Sequence, residues 1–316
     1  MIKTQVIIVG GGPAGAACAW RLRQHEIDFL LLDKTTFPRS KPCAGWLTPA
    51  VFDALQVQPV HYPYDLTEFS SFKIAIRGFN FRLPTHQYAI RRAEFDTWLL
   101  ESSKADVIHH KVQRIQETDD GYLVDDQFRA KYLIGAGGTH CPVRQAIFPR
   151  HPAERQKGLI IAKEEEFQYP IKEQETHLWF FENGLPGYAW YVPKKNGYLN
   201  VGIGGSASGL KAKGMTLNDY WDQLVAKLID SEWVTNHAFQ PAGYSYYLRQ
   251  PTPQRRAGNA FLIGDSLGLA TLDMGEGIVP AIQSGLLAAD AIIYNQDYLI
   301  KPIPRYSFPA LLRLRK

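Results

Sequence analysis

Three short apolar segments, far apart along the chain, each stop at glycine. They lie at residues 6–15, 132–138 and 261–265, and each has the pattern of a strand followed by a tight turn. In the first segment, Val6 to Val9 are apolar and β-branched, which is typical of a strand buried on both faces. The shared pattern predicts that the three segments belong to one nucleotide-binding fold.

The glycines of the first segment have the spacing of a dinucleotide-binding turn. Gly10 allows a tight turn, Gly12 lets the backbone approach a pyrophosphate, and Gly15 lets the next helix pack closely on the strand. That helix is predicted at 13–24, and its N-terminal amides and dipole favour an anion at that end.

Acidic residues end two of the apolar strands. The strand predicted at 27–32 ends at Asp33, and its separation from Gly10 suits an acid that binds the ribose hydroxyls. Asp265 ends the third segment, where a second phosphate or a ribitol hydroxyl needs a partner. Strand, glycines, helix, strand and acid in this order predict a site for flavin adenine dinucleotide (FAD).

The rest of the chain alternates between helical and strand-like patterns. The hairpin at residues 69–83 turns at Gly78, and Thr216 is a predicted N-cap with Asp219 in the first turn. Helices are predicted at 49–55, 92–104, 216–230 and 277–294, and strands at 69–76, 79–83, 112–117, 122–124, 131–134, 158–167, 175–181, 187–193 and 198–204.

These elements predict an α/β fold with a Rossmann-like FAD-binding domain and an inserted β-rich substrate domain. The FAD-binding domain is predicted to be discontinuous, from residues 1–58, 88–153 and 250–316. The β-sheet substrate domain takes residues 59–87 and 154–249.

Composition and charge narrow the function classes. The apolar fraction of 45% is ordinary for a globular protein of 316 residues, and a net charge of +4 does not argue for nucleic acid. Neither the three cysteines nor the scattered histidines have the spacing of metal ligands, so no metal is expected. Because the number of cysteines is odd, reduced thiols in the cytoplasm fit best. No apolar run has the length of a membrane span.

Several further motifs carry a family resemblance that covers nearly the whole chain. They lie at 41–45, 92–96, 135–138, 187–193 and 264–278. The most specific is Tyr188-x-Trp190-x-x-Pro193, followed by the glycine-containing run from Asn200. With these motifs the chain resembles the geranylgeranyl reductase family of FAD-dependent oxidoreductases, which are built like the aromatic hydroxylases.

The resemblance implies a set of FAD-binding positions. In it, Arg92 meets the phosphate or ribose side of FAD, Asp265 holds the ribitol or pyrophosphate, and the glycines at 275 and 277 open a helix whose dipole faces the flavin. The predicted cofactor-binding residues are Gly10, Gly12, Pro13, Ala14, Gly15, Asp33, Lys34, Cys43, Ala44, Gly45, Arg92, Val112, Gly137, Asp265, Gly275, Gly277 and Ile278.

Three of these positions keep a second interpretation. Arg92 also suits a solvated residue at a helix start, and Asp265 suits a helix N-cap. The resemblance places Cys43 by the flavin ring, where the thiol could donate a proton to a substrate carbon or tune the flavin. The alternative is that Cys43 is a small packing residue.

Aromatic residues in the centre of the chain could line an apolar substrate pocket. Tyr188 and Trp190 are the predicted lining residues, with Tyr191 beside them and Trp179, Phe180 and Phe181 as further candidates. An ordinary sheet core is the alternative.

The favoured reaction is hydride transfer from reduced flavin to a carbon–carbon double bond of an apolar isoprenoid or lipid substrate. NADPH or ferredoxin would reload the flavin. A nicotinamide would bind only transiently, because the sequence shows no second dinucleotide fingerprint. The alternatives are a flavin-dependent monooxygenase or halogenase of the same fold and a non-catalytic flavin-binding sensor. Oligomeric state stays open.

The C-terminal tail from Pro304 to Lys316 mixes apolar residues with cations, as peripheral membrane anchors do. It predicts weak, salt-sensitive contact of a cytoplasmic protein with anionic membranes. The alternative is that Phe308, Leu311 and Leu314 pack on the closing helix.

Overall fold

The computed structural model describes residues 1–149, 157–251 and 254–311, except for the side chains of residues 310 and 311. The strands are β1 (Ile2–Val9), β2 (Phe29–Asp33), β3 (Trp46–Leu47), β4 (Thr67–Ile76), β5 (Phe79–Ala89), β6 (Val107–His109), β7 (Ile115–Thr118), β8 (Gly121–Val124), β9 (Phe128–Gly135), β10 (Leu159–Gln168), β11 (Thr176–Phe180), β12 (Gly187–Lys194), β13 (Tyr198–Ser206), β14 (Ala242–Tyr247), β15 (Arg256–Ala257) and β16 (Ala260–Leu262). The helices are α1 (Pro13–Gln24), α2 (Ala50–Leu55), α3 (Arg92–Ser102), α4 (Pro142–Ile147), α5 (Ala207–Lys213), α6 (Leu217–Asp230), α7 (Ile278–Ile293) and α8 (Phe308–Leu311).

The first sheet brings the three glycine-ended segments together. Its main path runs β15-β16-β9-β1-β2-β6, and β1 pairs in parallel with both β2 and β9. Val9 at the end of β1 is paired with Gly135, and Gly135 is paired with Leu262 of β16. The carboxyl ends of β1, β9 and β16 therefore lie side by side at one edge, which confirms the predicted Rossmann-like arrangement.

The second sheet has eight strands in the order β14-β10-β13-β12-β11-β4-β5-β3. All neighbours are antiparallel except β11 and β4. Helix α6 covers one face of this sheet with buried side chains at helical spacing, and Thr216 and Asp219 form the capping box that starts it. The opposite face is left for the cavity described below.

Element boundaries differ from the sequence-based expectations in particular places. The strand predicted to end at residue 83 continues to Ala89, because the backbone of β5 stays paired with β4 as far as the pair of Ala89 with Thr67. The strand predicted from residue 112 begins only at Ile115, so Val112 lies in the loop before it. The short elements β6, α4 and α5 were not predicted, since each is too brief to show a period.

The division into two domains stays a prediction. β3 lies within residues 1–58, which were predicted to belong to the FAD-binding domain, but it pairs with the end of β5 in the second sheet. The boundary predicted at residue 153 lies outside the described residues. Across residues 1–149, 157–251 and 254–311, the helices lack the combination of length and apolar character needed to traverse a bilayer.

Candidate active site

A cavity of about 850 Å³ lies where the strand ends of the first sheet meet the uncovered face of the second. It brings together most of the predicted site residues, whose contacts with FAD remain predictions. The predicted residues that line it are Gly10, Gly12, Pro13, Ala14, Asp33, Lys34, Cys43, Ala44, Arg92, Val112, Gly137, Tyr188, Trp190, Asp265, Gly275, Gly277 and Ile278.

Gly15 and Gly45 lie behind the cavity wall. A Cβ at Gly15 would overlap the carbonyl oxygen of Gly10, which is the close helix–strand packing expected of that glycine. Gly45 has a φ of +70°, and a Cβ there would overlap the carbonyl oxygen of Ile90. Both glycines therefore shape the loops that line the cavity.

The start of α1 has the geometry of an anion site. Gly10 adopts a φ of +113° and lies against Ala136, so a side chain cannot be accommodated there. At Gly12 the described atom closest to a built Cβ is Nη2 of Arg39, at 3.2 Å. Arg39 was not recognised from the sequence; it adds a guanidinium beside the amides of the helix start.

Asp33 is held in place at the end of β2. Its Oδ2 accepts a hydrogen bond from the Gly11 amide at 2.6 Å, and its Oδ1 accepts one from the Thr35 hydroxyl at 2.8 Å. The carboxylate lines the cavity, where its remaining lone pairs are available to ribose hydroxyls.

Arg92 is buried, with 5% of its surface exposed, so it is not the solvated helix-start residue of the alternative interpretation. Its Nε and Nη2 donate to the two oxygens of Asp96 at 2.8 and 2.7 Å. Asp96 also lies 3.3 Å from Nη2 of Arg39. The pair of arginines thus shares one buried carboxylate, which fixes both guanidinium groups at the cavity wall.

Asp265 lies inside the 3₁₀ turn Gly264–Ser266 that follows β16, and the N-cap position of that turn is Ile263, so Asp265 is not its N-cap. Its Oδ2 accepts hydrogen bonds from the Tyr244 hydroxyl at 2.8 Å and from Lys41 Nζ at 3.2 Å. Burial alone would raise its pKa, but Lys41 and Tyr244 outweigh burial and hold the pKa below its ordinary value. An ionised carboxylate with two donors suits a ligand rich in hydroxyl groups.

The loop that carries Cys43 is anchored by a buried carboxyl that the sequence did not indicate. The Cys43 amide donates to Oε1 of Glu164 at 2.5 Å, and Oε2 accepts from Asn200 at 3.3 Å. Asn200 in turn accepts a hydrogen bond from the indole of Trp190 at 2.7 Å. Burial raises the pKa of Glu164 to about 7, so this group holds or releases a proton near neutrality.

The second sheet supplies an aromatic wall. Tyr188 and Trp190 lie on the cavity face of β12, and the Tyr188 hydroxyl donates to the Met274 carbonyl at 2.7 Å. Phe180, the last residue of β11, lines the cavity as well, and so does Phe181, which follows the strand in a left-handed conformation with a φ of +57°. Side chains alternate along a strand, so neighbouring positions face opposite sides of the sheet.

That alternation corrects two candidates. Tyr191 and Trp179 belong to the core cluster under α6, on the other face of the sheet. The Tyr191 hydroxyl donates to the Glu173 carbonyl at 3.0 Å, away from the cavity. Placing Tyr191 in the pocket with Trp190 was wrong, because two adjacent strand residues cannot share a face.

The start of α7 closes the cavity near Gly275. A Cβ at Gly275 would collide with the hydroxyl of Tyr246, another cavity residue that the sequence did not indicate. Glu276 accepts a hydrogen bond from the Val279 amide at 2.9 Å, and burial raises its pKa to about 7. The helix N-terminus therefore faces the cavity with a carboxyl that is largely neutral below that pH.

These features fit FAD: an open glycine at a helix start, arginines beside it, fixed carboxylates for hydroxyl groups and a second helix N-terminus. Within the described residues, no group of three or more His, Cys, Asp or Glu side chains has an arrangement that could hold a metal ion.

Comparison with known proteins agrees with this geometry. Residues 8–40 match the NAD(P)-binding Rossmann-like domain family. An uncharacterized protein of Methanosarcina barkeri is 31% identical, over 92% of this chain and 75% of that protein. The menaquinone reductase of Mycobacterium tuberculosis is 28% identical over 92% of this chain and 76% of the reductase.

Two further similarities bear on the family. Digeranylgeranylglycerophospholipid reductase 3 of Methanosphaera stadtmanae is 25% identical over 96% of this chain and 82% of that protein. Among solved structures, a geranylgeranyl bacteriochlorophyll reductase-like protein of Thermoplasma acidophilum shares the fold, with a TM-score of 0.79 at 20% identity. That match covers 94% of this chain and 80% of the other.

Proposed function

Because the chain belongs to the geranylgeranyl reductase family of FAD-dependent oxidoreductases, we propose that it reduces carbon–carbon double bonds of an apolar isoprenoid or lipid substrate. The observation that carries the proposal is one cavity of about 850 Å³ that holds both kinds of lining. One end has the helix start and fixed carboxylates that suit FAD, and the other has the aromatic wall of Tyr188 and Trp190. A flavin and an apolar chain can therefore meet within it.

The names of the relatives support the substrate class. Geranylgeranyl groups and menaquinone, which those names contain, are both isoprenoid compounds. An aromatic wall offers such chains a large apolar contact area without requiring a specific hydrogen bond. Bound reduced FAD would supply a hydride to one carbon of the double bond, so the chain must provide a proton for the other.

The proton source that we propose is the Cys43 thiol, supported by Glu164. Cys43 lines the cavity, and Glu164 anchors its loop through the Cys43 amide at 2.5 Å. We expect Cys43→Ser to retain FAD and to lower turnover at saturating substrate, because a hydroxyl is a much weaker acid than a thiol. The measurement is the rate of flavin reoxidation at several pH values. Unchanged kinetics would indicate that Cys43 is a packing residue and not the proton source.

The experiment that tests the function is anaerobic. The FAD-loaded protein is reduced with NADPH, or with dithionite as a control donor, and mixed with detergent-solubilised geranylgeraniol or menaquinone. We expect the absorbance of oxidised flavin to return and the product to gain two hydrogen atoms for each double bond reduced. NADPH and ferredoxin, compared in parallel, identify the donor.

Three outcomes contradict the proposal. Flavin that is reoxidised only after oxygen is admitted, with oxygen inserted into the substrate, indicates a monooxygenase. The same oxygen dependence with halide incorporated indicates a halogenase. Flavin that no physiological donor reduces indicates a sensor.

A further inference from the structure

The β4–β5 hairpin carries aromatic side chains on the outside of the molecule. Phe79 is 79% exposed and Phe81 is 47% exposed, and the residues between and after them are exposed as well. β5 is an edge strand along this stretch, because β3 pairs only with its last two residues, Tyr88 and Ala89. An exposed apolar edge of this kind marks either an interaction surface or a liability.

This exposed edge is continuous with the cavity. Phe79 is paired with Ile76 of β4, and Ile76 is paired with Phe180 of β11. Residues paired directly opposite each other lie on the same face of a sheet. Phe180 lines the cavity, so an apolar band crosses three strands from the exposed edge to the cavity wall.

The turn of the hairpin lies at the cavity rim. Phe181 lines the cavity and is nevertheless 47% exposed. The guanidinium of Arg77, in the hairpin turn, lies over the Phe181 ring at 5.8 Å from its centre. The exposed edge and the mouth of the cavity are therefore one surface.

The same hairpin is positively charged. β4, β5 and the turn between them contain Lys73, Arg77 and Arg82 against one carboxylate, Glu68. Lys73 and Arg82 share the carboxylate of Glu175 on the face of the sheet that α6 covers, so the cation beside the exposed rings is Arg77 in the turn. Exposed aromatic rings beside an arginine suit a surface that enters the headgroup region of an anionic bilayer.

We propose that a docking face, made of Arg77, Phe79, Phe81 and Phe181, binds the surface of an anionic lipid bilayer. The phenyl rings enter the boundary between headgroups and acyl chains, and the Arg77 guanidinium binds a lipid phosphate. The consequence for turnover rests on the proposed function: a cavity mouth facing the bilayer lets an apolar substrate enter without crossing water.

The docking itself is tested without any activity measurement. The FAD-loaded protein is floated with vesicles of phosphatidylcholine alone or with added phosphatidylglycerol, at low and high salt. We expect flotation with the anionic vesicles only, weakened by salt. Arg77→Gln should weaken partitioning by roughly fivefold, and Phe79→Ser with Phe81→Ser should abolish flotation.

A matched control removes exposed aliphatic residues elsewhere. Ile229→Ser with Leu299→Ser, on α6 and after α7, should float like the unaltered protein. The docking face is contradicted if both docking variants float normally, or if the unaltered protein never floats. It is also contradicted if a chain ending at Pro304 loses flotation while the phenylalanine variant keeps it, because the tail would then be the anchor. A dimer that the phenylalanine variant dissociates, without vesicle binding, assigns the surface to a second copy.

An activity arm separates this proposal from the proposed function. The phenylalanine variant should lose turnover of menaquinone embedded in anionic vesicles and keep turnover of detergent-solubilised geranylgeraniol. Equal loss on both substrates contradicts delivery through the docking face. If the unaltered protein reduces neither substrate, the proposed function fails, and the flotation result alone decides the docking face.

Discussion

Gly12 lies where a side chain would project into the cavity, because Arg39 Nη2 is the described atom nearest to a Cβ built there. We expect Gly12→Val to fold normally and to lose bound FAD, since two methyl groups would fill the space meant for the pyrophosphate. The measurement is the ratio of FAD to protein after purification, together with the melting temperature.

A glycine outside the cavity provides the control for that substitution. Gly243 lies in β14, and a Cβ there meets only the Ala162 carbonyl oxygen, at 3.8 Å, among the described atoms. Gly243→Val should keep full flavin occupancy. Full occupancy in Gly12→Val as well would disprove the assignment of the first glycine loop.

Glu164 should make stability depend on pH. Its pKa is raised to about 7 in the fold by burial, compared with 4.5 for an ordinary carboxyl. Its contribution is therefore complete below about pH 4.5 and is lost as pH rises to about 7, which amounts to roughly 3 kcal/mol. Glutamine keeps the oxygen that accepts from the Cys43 amide and cannot ionise.

The test compares unfolding free energies in the FAD-free protein. We expect the difference between Glu164→Gln and the unaltered protein to grow in favour of the variant from pH 4.5 to pH 7.5. Glu276→Gln should behave in the same way, because burial raises the pKa of Glu276 to about 7 too. Glu101→Gln, exposed on α3, controls for the substitution itself. A difference that is constant with pH would refute the role of the Glu164 carboxyl.

Sequence reasoning succeeded at single residues where the backbone imposes the choice. Gly10 and Gly15 are required by turn and packing geometry that any dinucleotide fold repeats, and the structure shows both constraints. Glu164 and Tyr244 were missed for the opposite reason. Glu164 gains its role by contact with Cys43, and Tyr244 by contact with Asp265. Both contacts join residues that are distant in the chain, and no local sequence pattern indicates them.

At the scale of elements, the two faces of the second sheet should respond differently to truncation. Trp190 lies on the cavity face, and Trp179 lies in the core under α6. Truncating either buried ring costs about 3–5 kcal/mol of stability. We expect only Trp190→Ala to weaken binding of geranylgeraniol while FAD is retained, with Trp179→Ala as the matched control. Equal affinities in the two variants would show that the aromatic wall does not hold the substrate.

The elements themselves were predicted best where their period was long enough to see. The hairpin turn at Gly78 and the N-cap at Thr216 follow directly from local residue types, and both are confirmed. The sequence did not indicate which strands are neighbours in a sheet. The parallel pairing of β11 with β4 joins segments about a hundred residues apart, and the alternation along each strand does not specify its neighbour.

At the scale of the whole molecule, FAD should act as a structural clamp. Its predicted contacts come from both ends of the chain and from the middle, at Gly12, Arg92 and Asp265. Ligand that binds only the folded state stabilises it by about 2.7 kcal/mol at a hundred times its Kd. We expect removal of FAD to lower the melting temperature and added FAD to restore it. Riboflavin, which lacks the phosphates, should restore less, and Gly12→Val should not respond. Equal melting temperatures with and without FAD would argue against the clamp.

The position of β16 also sets the order of events during biosynthesis. β16 pairs with β9 and thereby positions Asp265, which follows it in the chain. Helix α7 packs against α1, although about 250 residues separate the two helices. A nascent chain still tethered to the ribosome before Ile278 has emerged lacks one wall of the cavity. The complete flavin site therefore forms only after α7 has been synthesised and has packed on α1.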